Sequence, residues 1–202
     1  MSNLYVVATP IGNLEDISLR AIRILKEVDF VLCEDTRVSR KLLNYYNIKN
    51  NPISFHHHSG DKKYKKILEI LKSGKSLALI SDAGTPNVSD PGGQLIDLVR
   101  RELPEVNIEP IPGPSALTSA LSVSGIKADK FFFLGFLPHK KGRLTGIKEI
   151  LELKYPVVIY ESKHRIAKLL LELLDLGCTK KIMVFREISK KHYSFYNEPI
   201  ED

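Results

Sequence analysis

Short apolar runs alternate with helical patterns along the whole chain, and this alternation restricts the fold more than any other feature. Runs of four to six apolar residues, too short for a typical helix, predict buried strands. Between most of them, apolar residues recur at the spacing of one helix face. Strands that alternate with helices form parallel sheets, because each crossover returns the chain to the same direction. The sequence therefore predicts an α/β fold with largely parallel sheets.

The predicted elements run from residue 4 to residue 185. The strand candidates are 4–8, 30–33, 77–80, 108–111, 131–136, 157–160 and 182–185. The helix candidates are a segment capped by Asp16 or Ser18, then 39–46, a face marked by 64–71, 92–101, 115–124 and a face marked by 166–174 that ends near Gly177. The segment Pro112-Gly113-Pro114 is the best boundary, and it predicts two small α/β lobes, 1–113 and 114–202.

Basic residues are concentrated in the second lobe. Residues 1–113 contain 15 Lys and Arg against 14 Asp and Glu, whereas residues 114–202 contain 15 against 10. This excess predicts either an anionic partner or a solvated basic surface. No apolar run reaches the roughly 18 residues that span a bilayer, no signal-peptide pattern is present, and two cysteines make no disulfide framework. We therefore expect a cytoplasmic protein.

Glycine, proline and small polar residues follow three predicted strands, at 9–13, 81–86 and 112–115. Ligands of open α/β sheets bind beyond the carboxyl ends of strands, and small residues allow the backbone to approach them closely. Tight turns without a ligand are the alternative. Neither a P-loop nor a G-x-G-x-x-G motif is present, which argues against P-loop NTPases and conventional dinucleotide enzymes. Asp82 and Asp90 could bind ribose hydroxyls, an ammonium group or, least readily, a metal.

Seven segments carry a resemblance to a known family. The most specific is SDAGTPNVSDPG at 81–92, which we call the aspartate loop. The others are VATPIGNLEDI at 7–17, CEDTR at 33–37, IPGPSA at 111–116, GFLP at 135–138, YES at 160–162 and RE at 186–187. In this order they resemble the bacterial small-subunit ribosomal RNA cytidine 2'-O-methyltransferases, a branch of the tetrapyrrole methylase (class III) superfamily.

The resemblance implies two α/β lobes with S-adenosylmethionine bound in a cleft between them. It implies methyl transfer to the ribose 2'-hydroxyl of a cytidine in 16S ribosomal RNA of the small subunit, and, as a weaker expectation, a homodimer. The residues that match segments of the cofactor cleft are Pro10, Asp82, Ala83, Gly84, Thr85 and Ser115, with Leu137 and Glu161 from the second lobe. Family members usually continue beyond the equivalent of Asp202, so we expect an incomplete second lobe.

A neutral ribose hydroxyl is a poor nucleophile, so a general base should help the reaction. Glu34, Asp35, His56 and His58 are the candidates, and their spacing does not choose among them. The alternative for 34–37 is a helix start with Asp35 or Thr36 as the cap. His56 and His58 match a His-x-His pair that the family tends to carry. A metal would need further ligands at suitable positions, so we predict none.

Lys140, Lys141 and Arg143 follow the GFLP segment, and we expect them to contact RNA phosphates. The planar fork of Arg37 also suits a phosphate. Solvated helix faces are the alternative for the basic groups. The three phenylalanines at 131–133 would offer a base-stacking platform, but alternating side chains of a strand face opposite sides, which favours core packing.

Two other functions stay open. A methylase of tetrapyrrole precursors would share the fold, and its polycarboxylate substrate is also anionic, so charge does not discriminate. A non-catalytic ribosome-binding protein would bind RNA without S-adenosylmethionine. The opening segment 7–17 and the aspartate loop favour the ribosomal RNA branch.

Overall fold

A computed structural model describes residues 2–56 and 59–197 of the chain. The chain divides into two compact units, 1–116 and 117–202. Each unit has its own sheet and its own apolar core. The division falls three residues after the predicted boundary, at the first turn of a helix. No helix in the described ranges has the length and apolar character that a bilayer crossing requires.

The first unit is built on a five-stranded parallel sheet. Its strands are β1 (Asn3–Val7), β2 (Phe30–Cys33), β3 (Pro52–Ser54), β4 (Leu77–Ile80) and β5 (Asn107–Ile111). They lie in the order β3-β2-β4-β1-β5, and every neighbouring pair is parallel. All four residues of β4 are buried, as expected for a central parallel strand that is covered on both faces.

Four α-helices cover the two faces of this sheet. They are α1 (Leu19–Glu27), α2 (Thr36–Tyr45), α3 (Asp61–Lys72) and α4 (Gly93–Glu102), and a short 3-10 helix at Leu14–Asp16 precedes them. One core cluster joins the sheet to α1 and α2, and a second joins it to α3 and α4. Ser18 caps α1 by accepting from the backbone N–H of Ala21 at 3.1 Å. A short polar side chain, that of Asp35, also caps α2, whereas α3 and α4 follow Gly60 and Gly92, which offer no capping side chain.

The second unit contains three helices and two small sheets in its described part. Its elements are α5 (Ala116–Val123), β6 (Phe132–Phe136), α6 (Arg143–Glu152), β7 (Val157–Tyr160), α7 (Ile166–Asp175), β8 (Val184–Arg186) and β9 (Ser194–Tyr196). β6 and β7 are parallel, with a bulge at Leu134, whereas β8 and β9 are antiparallel. Leu137 joins residues of α6 and α7 in the core.

The predicted α/β class with largely parallel sheets is confirmed. The elements β3, β9 and α6 were not predicted, and the predicted strand at 182–185 begins two residues before β8. The prediction of core packing was wrong for Phe131 and Phe132, which are 37% and 41% exposed. The described core of the second unit reaches along β6 only as far as Leu134, so these two rings lie beyond it.

Candidate functional site

In the first unit, the loops that follow β1 and β4 hold each other through short polar groups. The backbone N–H of Thr9 donates to the carbonyl of Gly84 at 2.9 Å, and the N–H of Gly84 donates back at 3.0 Å. The Thr9 hydroxyl donates to the carbonyl of Ser81 at 2.9 Å, and the Ser81 hydroxyl donates to that of Gly84 at 3.0 Å. All three residues are buried. These loops therefore keep a fixed shape without long side chains.

Two glycines allow the loops after β1, β4 and β5 to come together at the carboxyl edge of the first-unit sheet. Gly84 has a φ of +82°, a left-handed conformation that a side chain would strain. Gly113 follows β5, and a Cβ there would lie 3.1 Å from the Cβ of Ala8. The loop after β5 therefore packs directly on the end of β1. It brings Ser115, the residue before α5, to the same edge.

The half-buried carboxylate of Asp82 links the loop after β4 to the loop after β2. Its Oδ1 accepts from the backbone N–H of Asp35 at 3.2 Å. Burial raises the pKa of Asp82, and the negative charge of Asp35 adds to this, whereas the backbone hydrogen bond opposes it. A partly desolvated carboxylate of this kind favours a cationic group of a ligand.

Asp35 is the N-cap of α2, as the alternative interpretation of 34–37 predicted. Its Oδ1 accepts from the backbone N–H of Arg37 at 2.8 Å, and the Arg37 guanidinium donates to both carboxylate oxygens at 2.6–3.1 Å. These hydrogen bonds lower the pKa of Asp35 from 3.8 to about 2. An efficient general base has a pKa near the working pH, so this geometry argues against Asp35 in that role. The Arg37 side chain is 85% exposed.

Two further base candidates follow neighbouring strands at the same edge. Glu34 is the first residue after β2 and is partly buried, and its side chain has no hydrogen-bond or ion-pair partner within 2–56 and 59–197. His56 follows β3, and its backbone N–H donates to the Ser59 hydroxyl at 3.0 Å. His58 lies outside the described residues. In the described part of the chain, no three His, Cys, Asp or Glu side chains are grouped to hold a metal ion.

In the second unit, the side chains of Leu137 and Glu161 already have protein partners. Leu137 packs in the core, and its carbonyl accepts from Arg165 Nη2 at 2.7 Å. The Glu161 side chain is only 3% exposed, and its Oε2 lies 3.4 Å from Arg143 Nη1 and 3.3 Å from Arg165 Nη2. Its Oε1 accepts from the N–H of Ser162 at 2.8 Å. Both residues therefore stabilise the unit through these contacts.

Arg143 is the clearest correction to the predicted site. It is 5% exposed, and its Nε donates to Glu172 Oε2 at 2.8 Å. Its Nη2 lies 2.8 Å from the same oxygen without a well-aligned hydrogen bond of its own. Glu172 and Glu161 raise the pKa of Arg143 further. The structure thus contradicts the predicted RNA contact of Arg143, whereas Lys140 and Lys141 are exposed.

Comparisons with known proteins place this geometry in a family. The family model described as Tetrapyrrole (Corrin/Porphyrin) Methylases matches residues 3–202. The ribosomal RNA small subunit methyltransferase I of Thermotoga maritima is 44% identical over 202 residues, which cover 100% of this chain and 90% of that protein. The protein of the same name from Halalkalibacterium halodurans is 40% identical over 98% of this chain and 68% of its own length.

The chain belongs to the tetrapyrrole methylase family, in its ribosomal RNA small subunit methyltransferase I branch.

Solved structures show the same fold for this methylase. A diphthine synthase has a TM-score of 0.75 at 16% identity, and it covers 99% of this chain and 83% of its own. The uroporphyrin-III C-methyltransferase of Thermus thermophilus has a TM-score of 0.66 at 19% identity, with coverage of 100% and 87%. At these identities the likeness supports the fold alone.

The buried ion pairs of the methylase's second unit were not predicted from the sequence. Glu172 interrupts the apolar run at 169–174, and a carboxylate on a core-facing stripe needs a cationic partner. That signal points to an ion pair, but it does not say which of the many lysines and arginines forms it. Arg165 contacts Leu137 and Glu161, but nothing in the local sequence distinguishes it from the neighbouring basic residues Lys163 and His164.

Proposed function

We propose that this chain transfers a methyl group from S-adenosylmethionine to the ribose 2'-hydroxyl of a cytidine in 16S ribosomal RNA. The observation that carries the proposal is the 44% identity over all 202 residues with a protein named ribosomal RNA small subunit methyltransferase I. The solved structures named as uroporphyrin-III C-methyltransferases are 18–19% identical and support the fold alone, so they do not favour the alternative function of a tetrapyrrole C-methylase.

The carboxyl edge of the first unit fits the cofactor. S-adenosylmethionine carries an ammonium group, a carboxylate, a ribose and an adenine. Asp82 offers a half-buried carboxylate for the ammonium group or the ribose hydroxyls. Gly84 and Gly113 keep side chains away from the loops, so that backbone groups can contact the ligand. The residues proposed to hold the cofactor are Pro10, Asp82, Ala83, Gly84, Thr85 and Ser115. Leu137 and Glu161 would contribute indirectly, by keeping their loop in place.

When bound, S-adenosylmethionine supplies an electrophilic methyl group on its sulfonium sulfur. The residues of the chain have two tasks: to hold the ribose hydroxyl in line for displacement and to accept its proton. Glu34 is the best proton acceptor in this proposal, because its carboxylate has no protein partner among the described residues and follows β2 beside Asp82's loop. His56, one strand further along the sheet, is the second candidate. Asp35 instead fixes the start of α2 and holds Arg37, whose exposed guanidinium suits an RNA phosphate.

The first test is isothermal titration of the 202-residue chain with S-adenosylmethionine. Saturable binding by the wild type that Asp82→Asn weakens, while the exposed-site control Asp97→Asn does not, supports the cofactor site. Methyl transfer from labelled cofactor to unmethylated small subunits, followed by mapping of the methylated nucleotide, then tests the substrate.

The outcomes separate the competing functions. A label on a ribose of 16S ribosomal RNA supports the proposal, and transfer to a uroporphyrinogen instead supports the C-methylase. Subunit binding without any cofactor binding would support the non-catalytic ribosome-binding protein. If Glu34→Gln and His56→Gln both keep wild-type turnover, neither residue is the base.

The proposal includes the small ribosomal subunit as partner and the cytoplasm as location, because the substrate is ribosomal RNA. It also includes a homodimer, as the family resemblance implies. Sedimentation equilibrium at several protein concentrations tests this: a single species at the mass of one chain, 22.8 kDa, would contradict the dimer.

A further inference from the structure

A basic surface lies at the carboxyl edge of the second-unit sheet. β6 and β7 are parallel neighbours, so the loops that follow them, 137–142 and 161–165, leave the sheet at the same edge. The residues of this surface, which we call the basic edge, are exposed: His139, Lys140, Lys141, Lys163 and His164. The loops thus present three lysines and two histidines on one side of the unit.

Arg165 ties the two loops of the basic edge together. Its Nη2 donates to the carbonyl of Leu137 at 2.7 Å and to that of Pro138 at 3.3 Å. The same nitrogen lies 3.3 Å from Glu161 Oε2, and Nη1 lies 3.3 Å from Nε2 of His139. One side chain at the start of α7 therefore holds both the loop after β6 and Glu161, the first residue after β7.

Arg143 holds the same loop from the start of α6. Its Nη1 lies 3.5 Å from the carbonyl of Pro138, and its backbone N–H donates to the carbonyl of Lys140 at 3.2 Å. Glu161 and Glu172 are already paired with the two arginines, so they do not form ion pairs with the lysines of the basic edge. The result is a loop with a fixed backbone, whose lysines have no ion-pair partner in the described part of the chain.

We propose that the basic edge binds backbone phosphates of the RNA substrate and that Arg165 is the positioning residue that fixes its two loops. This inference rests on the proposed function, in which the substrate is RNA. Phosphate contacts orient an RNA without reading its sequence, and they need cations at set spacings. Lysines on a backbone that is already held lose less conformational freedom on binding than lysines on a mobile loop. Lys163 joins Lys140 and Lys141 in this role, and Arg143 supports them from below.

The test compares two double variants of equal charge. Lys140→Gln with Lys163→Gln removes one cation from each loop of the basic edge. Lys130→Gln with Lys154→Gln removes one cation before each strand, at the opposite edge of the same sheet. Binding of a fluorescent single-stranded RNA oligonucleotide is measured by anisotropy over a range of salt concentrations. We expect roughly tenfold weaker binding and a salt slope smaller by about 1.4 for the first variant only.

A third variant tests the positioning role. Arg165→Lys keeps the positive charge but loses the planar group that reaches Leu137, Pro138 and Glu161 together. We expect weaker RNA binding at an unchanged net charge, whereas the exposed Arg101→Lys binds as the wild type does. Wild-type RNA affinity in a folded Arg165→Lys would refute the positioning role. Because the lysine variants leave the arginine contacts intact, they stay informative even if Arg165→Lys fails to fold.

Failure of this inference differs from failure of the proposed function. Equal RNA affinity and salt slope in the Lys140/Lys163 variant and the wild type would refute the basic edge, even if the wild type methylates small subunits. Equal losses in both double variants would also refute it, because they would indicate net charge alone. A wild type that binds RNA but methylates no subunit would refute the function, and the RNA titrations would still decide the role of the edge.

Discussion

The two units of this methylase hold the carboxyl edges of their sheets by different chemistry. In the first unit, Thr9, Ser81 and Gly84 connect the loops through backbone and hydroxyl hydrogen bonds. In the second unit, Arg143 and Arg165 connect the loops through buried ion pairs and bonds to carbonyls. Loops held by short groups leave room for a small ligand to contact the backbone. Loops held from below by long side chains present their outer residues to a larger partner.

Mutations at the two edges should also reduce the stability of the protein in different ways. A single neutral hydrogen bond contributes about 0.5–1.5 kcal/mol, so the first edge should lose stability in small steps. Removing one member of a buried ion network leaves its partners charged and unpaired, so the second edge should lose stability in one large step. Each of the following variants tests one side of this contrast.

Glu161→Ala should have the largest effect. Its Oε2 is shared by two arginines, and its removal leaves Arg143 buried beside a single carboxylate. We expect the free energy of unfolding to fall by about 3–5 kcal/mol in urea titrations. The exposed Glu149→Ala on α6 is the matched control and should change it by less than about 0.5 kcal/mol. If the two variants lose similar amounts, solvent screens the network and the contrast fails.

Asp82→Asn should separate binding from stability. Loss of a charged hydrogen bond to the cofactor costs about 1.5–3 kcal/mol, or roughly ten- to a hundredfold in Kd. Because the pKa of Asp82 is raised in the folded state, its ionised form opposes folding as pH rises through that pKa. The variant should therefore melt at the same temperature as the wild type, or higher, at neutral pH.

The pH dependence of cofactor binding checks the same carboxylate. Wild-type affinity should decline on acidification at a pH above the ordinary range of an aspartate, since protonation removes the charge. The Asp82→Asn variant should lack this decline. A decline of the same size in both proteins would assign it to another group.

Gly84→Ala and Gly74→Ala make a matched pair for the first edge. Their φ angles are +82° and +86°, so an alanine is strained equally in both places, by about 1–2 kcal/mol. Gly74 has open space around it, whereas a Cβ at Gly84 would lie 3.5 Å from Ile11 Cγ2. We expect equal losses in denaturant unfolding but weaker cofactor binding only in Gly84→Ala. Equal cofactor affinities would place Gly84 away from the ligand.

Asp35→Asn should have the smallest effect. An asparagine oxygen can still cap α2, and the Arg37 pair that it loses is exposed and screened. We expect turnover within about twofold of the wild type, because a carboxylate with a pKa of about 2 is a weak base. We also expect Asp35→Asn to melt at a slightly lower temperature than the wild type, because it loses the stabilisation that lowers the pKa of Asp35. This difference should be present above pH 3.8 and vanish as pH falls towards 2. A large loss of turnover would restore Asp35 as a base.

Local signals predicted most of the first unit. Apolar runs marked β2 and β4 residue for residue, since buried parallel strands need apolar residues on both faces. The alternative interpretation of 34–37, a helix start capped by Asp35 or Thr36, could be drawn from the sequence because capping depends on one short side chain and the next turn. β3 was missed because it has three residues and begins with a proline, which suits an edge strand.

The second unit was harder to predict because its site depends on distant partners. Arg143 looked like one more surface cation, yet it is buried against Glu172, which lies 29 residues away on another helix. Nothing in the local sequence distinguishes it from Lys140, which stays exposed. Only the packing of α6 against α7 decides which basic side chain goes inside. The roles of Leu137 and Glu161 depend on the same packing.

The oxygen of Glu161 that serves two arginines also constrains how this sequence can change. A neutral residue at 161 leaves Arg143 and Arg165 facing each other's charge, so a tolerated replacement there would require changes at one or both arginines. Glu172 is coupled to these positions through its ion pair with Arg143. These four positions should therefore vary together or not at all across the branch, whereas Thr9 and Ser81, joined by single neutral bonds, can change one at a time.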